Sequence, residues 1–330
     1  MINKYWAIVK TFNLRLLRQN LVNLFTYSYR TEVAFLHSKI HGLSNNLRNI
    51  RFELLYYKIL EYYSKSPETI YEKELIYLKE IGYVTPFLYK QQKFLKNVIG
   101  KFDNEKGMPY VLHFNEKKIY FPKDWTVENA VAQYLNLVEK ENILGGNYLE
   151  KSPHQYQSES CYVKNTDIVL DIGATEGLFA LEIVDKAKKT YIFESDDMWT
   201  EPLKATFEPY KDKIEIINKY VSNRDFENET TLETCLKNDV IEGIFAKMDI
   251  EGDELKVIEG NQSFFSQTLD IRLSCATYHK KNDAEILKKA LNKIGYSTTF
   301  SDGFIVFIWD ENIQPPYFRH GIIRANKLIK

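Results

Sequence analysis

The sequence has no excess of charge, little cysteine and no long apolar run. Its 330 residues include 44 Lys and Arg against 45 Asp and Glu, a net charge of −1. Because proteins that bind nucleic acid are typically strongly basic, we expect no nucleic-acid partner. The 3 cysteines, Cys161, Cys235 and Cys275, lie far apart. This spacing fits neither a disulfide framework nor a zinc site.

No segment approaches the roughly 18 consecutive apolar residues of a membrane-spanning helix. Near the N-terminus, basic residues such as Lys4 and Lys10 interrupt the apolar positions, unlike in a signal peptide. We therefore expect a soluble, cytoplasmic protein. The composition, 44% hydrophobic and 27% charged, is typical of globular proteins.

Charge and pattern divide the chain into parts. Residues 1–100 hold 15 Lys and Arg against 7 Glu and no Asp. We predict a helical N-terminal subdomain at 1–105, a β-hairpin and helix at 106–160, and an α/β domain at 161–330. Apolar residues recur at steps of 3 and 4 from Val33 to Tyr57, which indicates a helix that packs on another helix. The stripe could pack on residues 1–25 or form the interface of a homodimer. The basic amphipathic helix at 1–30 could present a solvated face of this subdomain or dock the protein on a membrane.

A glycine-containing turn follows the first buried strand of the third part. Asp171 ends the strand, Gly173 allows a tight turn against which a ligand can lie, and Gly177 opens the next helix. Dinucleotide-binding turns have glycine where this chain has Asp171, because the turn must admit a pyrophosphate. A carboxylate repels phosphate and suits a cofactor with a cationic amino-acid end, which describes S-adenosyl-L-methionine (SAM).

Polar residues end the neighbouring strands. Glu194 ends the second strand, 17 residues after Gly177, where a carboxylate can accept hydrogen bonds from ribose hydroxyls. A third strand, predicted at 214–221, places Ser222 near the adenine. Lys247, Asp249 and Glu251 follow a fourth strand, and His279 follows a fifth. The ends of parallel strands meet at one edge, where open α/β sheets bind ligands. The last two strands, at 297–301 and 304–309, are predicted to form an antiparallel pair.

These motifs resemble those of SAM-dependent methyltransferases, and among them the FkbM family. The resemblance rests on V-L-D-I-G-A-T-E-G at 169–177, F-E at 193–194 and K-M-D-I-E-G-D-E-L at 247–255, and it covers about residues 105–330. It implies a doubly wound, Rossmann-like sheet of the class I methyltransferase type, with seven strands of which the last is antiparallel. It also implies SAM as cofactor and a hydroxyl group of a saccharide or secondary metabolite as methyl acceptor. The chain departs from the family at Thr175-Glu176 and at Thr277.

We assign the candidate residues to two groups. The first group holds the cofactor, with Asp249 at the floor of the pocket: Asp171, Gly173, Thr175, Gly177, Glu194, Ser222 and Asp249. The second faces the acceptor: His279, His154, Lys247 and Glu251. A neutral imidazole can take the hydroxyl proton near pH 7, so His279 is the first candidate for the base and His154 the second.

Other interpretations stay open at this point. Lys247 could simply pair with a carboxylate, and Glu254 could simply favour a helix N-terminus. Asp249 and Glu251 could hold a divalent cation, although no third ligand can be named and we assign no metal. A dinucleotide-dependent oxidoreductase and a non-catalytic binding module are the alternative functions. We expect Gly173→Asp or Glu194→Ala to abolish or weaken SAM binding without unfolding the protein.

Overall fold

The structure is a computed structural model of the chain. It describes residue 39 and residues 46–65, 70–90, 98–113, 116–145, 151–267 and 270–327. The chain divides into two compact units, Met1–Lys58 and Ile59–Lys330. Residues 46–64 are helical and form α1. Of the predicted apolar stripe, the positions between Val33 and Leu43 lie outside the described residues, as does the basic helix at 1–30.

Four described members of that stripe, Leu47, Ile50, Leu54 and Tyr57, are exposed. None of the helices that the structure describes has the length and apolar character needed to cross a membrane.

A seven-stranded sheet forms the centre of the second unit. Its strand order is β11-β14-β10-β9-β4-β5-β6, and β14 is antiparallel to both of its neighbours. This arrangement confirms the predicted class I methyltransferase-like α/β fold. The strands are β4 Asp167–Ile172, β5 Lys189–Phe193, β6 Ile214–Ile217, β9 Gly243–Met248, β10 Asp270–Ala276, β11 Tyr296–Phe300 and β14 Ile322–Lys327.

Strands β4 and β9 lie at the middle of the sheet, and all their residues are buried. Val169 and Phe245 belong to the core on one face of the sheet, whereas Leu170 and Ala246 belong to the core on the other. Because both faces of such a strand are covered, apolar and polar residues do not alternate along it, which explains the continuous apolar runs in the sequence. In the part of the chain that the structure describes, eight α-helices follow α1: α2 Glu72–Ile81, α3 Val127–Leu135, α4 Leu178–Ile183, α5 Thr200–Phe207, α6 Leu232–Leu236, α7 Glu254–Gly260, α8 Gln262–Phe265 and α9 Asp283–Lys293.

A small antiparallel sheet precedes the large one. It contains β1 Gly100–Asp103, β2 Met108–Leu112 and β3 Lys118–Tyr120, and Tyr110 of β2 pairs with Tyr120 of β3. The predicted hairpin is thereby confirmed, whereas the first strand was not predicted. Helix α3 follows and continues into a π-helical turn, Asn136–Glu141. This turn brings Glu141 to the site described below.

The N-terminus of α3 allows a simple test of this part of the fold. The Thr126 side chain accepts a hydrogen bond from the backbone N–H of Asn129 at 3.2 Å. Such a cap is worth about 1 kcal/mol, so Thr126→Ala should lower the free energy of unfolding by about that amount in urea titrations. Thr126→Ser keeps the hydroxyl and serves as the control. An alanine variant as stable as the wild type would contradict the capping assignment.

Two predictions about the strands differ from the structure. The segment 214–221 is split, because β6 ends at Ile217 and Tyr220–Val221 forms a separate strand, β7, paired with β8 Glu229–Thr230. The predicted pairing of the last two strands is wrong. Strand β11 pairs with β14, while β12 Phe304–Val306 pairs with β13 Phe318–His320 outside the large sheet. Strand β14, which comes later in the chain, takes the place beside β11 in the large sheet. Residues 302–303 lead the chain away from that sheet.

Candidate active site

Three adjacent strands end side by side at the carboxyl edge of the sheet. The last residue of β4, Ile172, pairs with Phe193 of β5 and with Met248 of β9. The residues that follow these strands are Gly173, Glu194 and Asp249, and the sheet register places them next to one another. The backbone N–H of Gly173 donates to the carbonyl of Phe193 at 2.9 Å, and that of Asp249 donates to the carbonyl of Ile172 at 3.0 Å. The site is therefore built directly on the sheet.

Gly173 is the residue of the turn that packs directly against the backbone at the end of the neighbouring strand β9. Its φ is +77°, and any Cβ at this position would collide with the carbonyl oxygen of Asp249 and approach Ile250 Cγ2 to 2.8 Å. Our expectation that Gly173→Asp leaves the fold intact is therefore wrong, because the obstacle is backbone of the neighbouring strand end. Gly177 has a φ of +79° and lies against Leu203 and Phe207 of α5, so its role is in helix packing.

The energetic effect of the close packing at Gly173 can be measured by comparison with a second glycine of the same backbone conformation. Gly82 has a φ of +76°, but open space surrounds it. Alanine at either position takes a strained left-handed conformation, and only Gly173→Ala also overpacks the strand ends, which typically costs a further 1–3 kcal/mol or so. We expect this difference between the two variants in urea unfolding. Equal losses of stability would contradict the close approach.

The carboxylate of Glu194 is fixed by two backbone donors. Its Oε2 accepts from the N–H of Thr175 at 2.8 Å, and its Oε1 accepts from the N–H of Asp196 at 2.8 Å. Thr175 itself has a φ of +50°. Both oxygens keep lone pairs free for a ligand, since a carboxylate can accept about four hydrogen bonds. The structure thus links the end of β5 to the glycine turn.

Asp171 and Lys247 form a buried ion pair beneath the turn. Lys247 Nζ lies 3.1 Å from Asp171 Oδ1 and also donates to the carbonyl of Gly173, and both side chains are buried. Burial alone would lower the pKa of Lys247, but Asp171 beside it raises the pKa, so the ammonium stays charged. Direct contact of Asp171 with a cofactor, expected from the sequence, is not made here because this carboxylate has no exposed surface. Of the two interpretations of Lys247, the geometry supports the one in which it pairs with a carboxylate.

Asp249 contacts four polar side chains at this edge of the sheet. Its Oδ2 accepts hydrogen bonds from the hydroxyls of Tyr156 at 2.5 Å and Tyr278 at 3.0 Å. His154 Nε2 lies 3.4 Å from Oδ2, and His279 Nε2 lies 3.3 Å from Oδ1. Burial would raise the pKa of Asp249, but the contacts with the two histidines hold it below its ordinary value. Asp249, His154 and His279, which the sequence analysis assigned to one site, therefore lie close together in the structure.

His154 lies between two carboxylates. Its Nδ1 is 3.2 Å from Glu141 Oε2, on the side opposite Asp249. Burial would lower the pKa of this imidazole, but Asp249 and Glu141 raise it to about 9. The two carboxylates thus favour the charged form of the ring, which disfavours the role of base that the sequence suggested for His154.

His279 is surrounded by three carboxylates. Nε2 lies 3.6 Å from Glu251 Oε2 in addition to its contact with Asp249, and Nδ1 lies 3.4 Å from Glu254 Oε1. Burial would lower the pKa of His279, and these neighbours raise it. The neighbouring carboxylates thus favour the charged form of the ring over the neutral form that a base needs.

Two cavities meet at this edge of the sheet. The larger, about 930 Å³, extends over the ends of β5 and β7 and is lined by Glu194, Trp199 and Ser222 among others. The smaller, about 370 Å³, is lined by the histidines and by aromatic side chains. Both are lined by the same four residues, Gly173, Thr175, Asp249 and Glu251. The arrangement can therefore hold two ligands in contact with each other.

Several residues of the smaller cavity were not predicted. Tyr156 and Glu141 come from the segments ahead of β4, and Tyr278 directly precedes His279. Glu176 also lines this cavity, and burial raises its pKa to about 8. Tyr278 could have been inferred from its position at the end of the predicted strand. No local pattern marks Tyr156 or Glu141, because only the tertiary fold brings them to the site.

No protein-family model matches the chain, and no curated protein matches it. Solved structures similar to it include precorrin-6Y C5,15-methyltransferase from Geobacter metallireducens GS-15, with 12% identity, 51% of this chain and 83% of that chain covered, and a TM-score of 0.36. An rRNA methylase from Streptococcus thermophilus has 13% identity over 50% of this chain and 89% of that chain, with a TM-score of 0.34. The protein SMU.1697c from Streptococcus mutans, solved in complex with SAH, has 16% identity over 51% of this chain and 92% of that chain, with a TM-score of 0.34.

These similarities correct one prediction. We expected no nucleic-acid partner, and an rRNA methylase is among the similar proteins, so this exclusion is wrong. The inference relied on a net charge of −1 for the whole chain. That sum does not describe the charge of the one surface on which a substrate would lie.

Proposed function

We propose that this protein is a SAM-dependent O-methyltransferase, similar to the FkbM family, that methylates a hydroxyl group of a saccharide or secondary metabolite. The observation that carries the proposal is the pair of adjoining cavities at the carboxyl edge of the sheet, which share Gly173, Thr175, Asp249 and Glu251. A transferase needs a cofactor site and an acceptor site in contact, and this edge provides both.

The larger cavity fits SAM in size and chemistry. A cavity of about 930 Å³ falls in the range of cofactor sites, which is roughly 300–1,000 Å³. Glu194 presents acceptor oxygens for the ribose hydroxyls, and Trp199 and Ser222 line the part of the cavity suited to the adenine. When bound, SAM would supply an electrophilic methyl group to the acceptor.

The charges around the glycine turn favour SAM over a dinucleotide. Glu194, Asp249 and Glu251 all line the larger cavity. A pyrophosphate would meet repulsion from these carboxylates, whereas an amino group would be attracted. Asp171 does not contribute to this attraction directly, because Lys247 neutralises it.

The smaller cavity suits an acceptor with hydroxyl groups on an apolar frame. Aromatic side chains such as Phe87, Phe179 and Phe307 line its walls, and Asp249, His154 and Tyr278 provide polar atoms at the end nearest the larger cavity. We propose that these polar groups hold the hydroxyl oxygen in line with the methyl group. Holding two reactants in this geometry supplies most of the rate in such a displacement.

A transfer assay tests the proposal. The purified chain is incubated with SAM carrying a radiolabelled methyl group and with panels of saccharides, hydroxylated secondary metabolites and RNA. We expect label in a saccharide or metabolite, in an ether that is stable to base. Label only in RNA would contradict the proposed acceptor class and leave the methyltransferase activity standing.

A matched variant separates transfer from cofactor binding. Filling the smaller cavity with Ala174→Phe should abolish transfer while SAM still binds, because Ala174 lines only that cavity. SAM binding by the wild type with no transfer to any acceptor would favour the alternative of a non-catalytic binding module.

A further inference from the structure

Asp249, Glu254 and His279 form a compact cluster of potential metal ligands. Each residue offers one ligand atom, and these atoms all lie within 4.8 Å of one another. Glu254 and His279 are buried, and Asp249 is largely so, with 18% of its side chain exposed. Glu251 Oε2 lies 3.6 Å from His279 Nε2, on the side of the ring that faces Asp249.

The three side chains meet around the imidazole of His279. Asp249 Oδ1 lies 3.3 Å from Nε2, and Glu254 Oε1 lies 3.4 Å from Nδ1. One ion binds only one nitrogen of the ring. Ligand atoms that each lie about 2.1 Å from a metal ion are separated by roughly 3.0–3.4 Å. The separation of Nδ1 and Glu254 Oε1 is of that size, and Asp249 offers a third ligand atom within the 4.8 Å span of the cluster.

A buried ring nitrogen at this place has no hydrogen-bond partner. Nδ1 of His279 is fully covered and makes no hydrogen bond, although Glu254 Oε1 is 3.4 Å away, and only 8% of the residue is exposed. Buried polar atoms are nearly always paired, so an unpaired one calls for a partner that can fill the space. A cation bound to the ring supplies that partner.

The charges of the cluster are also compatible with a cation. The contacts of Glu254 among the described residues are with His279 and with the backbone N–H of Ile250 at 3.0 Å. An imidazole that binds a metal ion is neutral, and the ion then supplies the positive charge between the carboxylates of Asp249 and Glu254. Lys247, the nearest lysine on β9, is bound to Asp171.

We propose that Asp249, Glu254 and His279 bind one divalent cation at the boundary between the two cavities. Two carboxylate oxygens and one imidazole nitrogen suit Mn²⁺, Mg²⁺ or Zn²⁺, and three protein ligands leave coordination positions open. Asp249 lines both cavities and His279 lines the smaller one, so the cluster adjoins the place where the two cavities meet.

The site would add a chemical step that the histidines do not provide. This part rests on the proposed function. A hydroxyl oxygen bound to the cation donates a lone pair to it, and its proton becomes more acidic and passes to water. The resulting oxygen is a better nucleophile for the methyl group. His279 then acts as a metal ligand. The alternative raised from the sequence, a cation at Asp249 and Glu251, had no third ligand, and Glu254 and His279 now provide further ones.

Metal binding is tested on the full chain without an acceptor. The protein is stripped with EDTA and titrated with Mn²⁺, and bound Mn²⁺ is counted by electron paramagnetic resonance, with Mg²⁺ and Zn²⁺ titrated by calorimetry. We expect one Mn²⁺ per chain, and at least about 10-fold weaker binding in Glu254→Gln. Glu285→Gln, at an exposed position on α9, should bind as the wild type does.

Circular dichroism accompanies each titration, and if Glu254→Gln does not fold, His279→Asn takes its place. Absence of binding for all three cations, or equal binding by the wild type and the folded variant, would overturn the proposal. A SAM titration of the stripped protein is run in parallel. SAM binding without metal binding refutes the cation site alone, whereas metal binding without SAM binding refutes the proposed function alone.

Discussion

Replacing Glu194 with alanine is expected to weaken SAM binding by about 100-fold. Glu194 lies at the end of β5 with both carboxylate oxygens oriented by backbone N–H groups of Thr175 and Asp196. Hydrogen bonds to a charged group contribute about 1.5–3 kcal/mol each. Loss of those to the ribose therefore accounts for roughly two orders of magnitude in affinity. Isothermal titration calorimetry with SAM measures the change.

Two further variants make the result specific. Glu194→Gln keeps one oxygen acceptor at the same position and should bind SAM with intermediate affinity. Glu311→Ala removes an exposed carboxylate that lines neither cavity and should leave the affinity unchanged. If Glu194→Ala binds SAM as tightly as Glu311→Ala does, Glu194 does not contact the cofactor.

Replacing Lys247 with methionine is expected to cost about 3–5 kcal/mol of folding free energy. The variant leaves Asp171 fully buried without its counter-charge, and breaking a buried pair on one side carries a penalty of that size. Lys247 also donates to the carbonyl of Gly173, so the turn loses a hydrogen bond as well. Urea unfolding followed by circular dichroism measures the loss.

The double variant Asp171→Leu with Lys247→Met should recover much of the lost stability, because it buries no isolated charge. Recovery would show that the loss in Lys247→Met comes from the uncompensated charge of Asp171. A Lys247→Met variant within 1 kcal/mol or so of the wild type would show that the pair does not stabilise this part of the fold.

The strands that carry the site were predictable because their signals are local. Strands β4, β5 and β9 are short apolar runs, and each is followed by a polar or glycine residue that marks the sheet edge. This is why Gly173, Glu194 and Asp249 could be placed together from the sequence. The pairing of β11 with β14 could not be predicted in the same way, because residues 322–327 compete for that edge with the nearer strand at 304–306.

The roles of the charged residues were harder to predict than their positions. Asp171 stands where the pattern suggests a contact with the cofactor, but the register pairs it with Lys247 on the adjacent strand and buries both. Both histidines line the smaller cavity. Their carboxylate partners, Glu141 for His154 and Glu254 for His279, come from other segments and raise the pKa of the rings against the effect of burial.

A competition between SAM and NAD⁺ for the purified chain tests the central claim most directly. Binding of each is measured by calorimetry, first alone and then in the presence of the other. The account predicts one SAM per chain, bound more tightly in the wild type than in Glu194→Ala, and no displacement of SAM by NAD⁺. Tighter binding of NAD⁺, or binding of neither, would contradict the assignment of the larger cavity to an adenosyl cofactor with an amino-acid end.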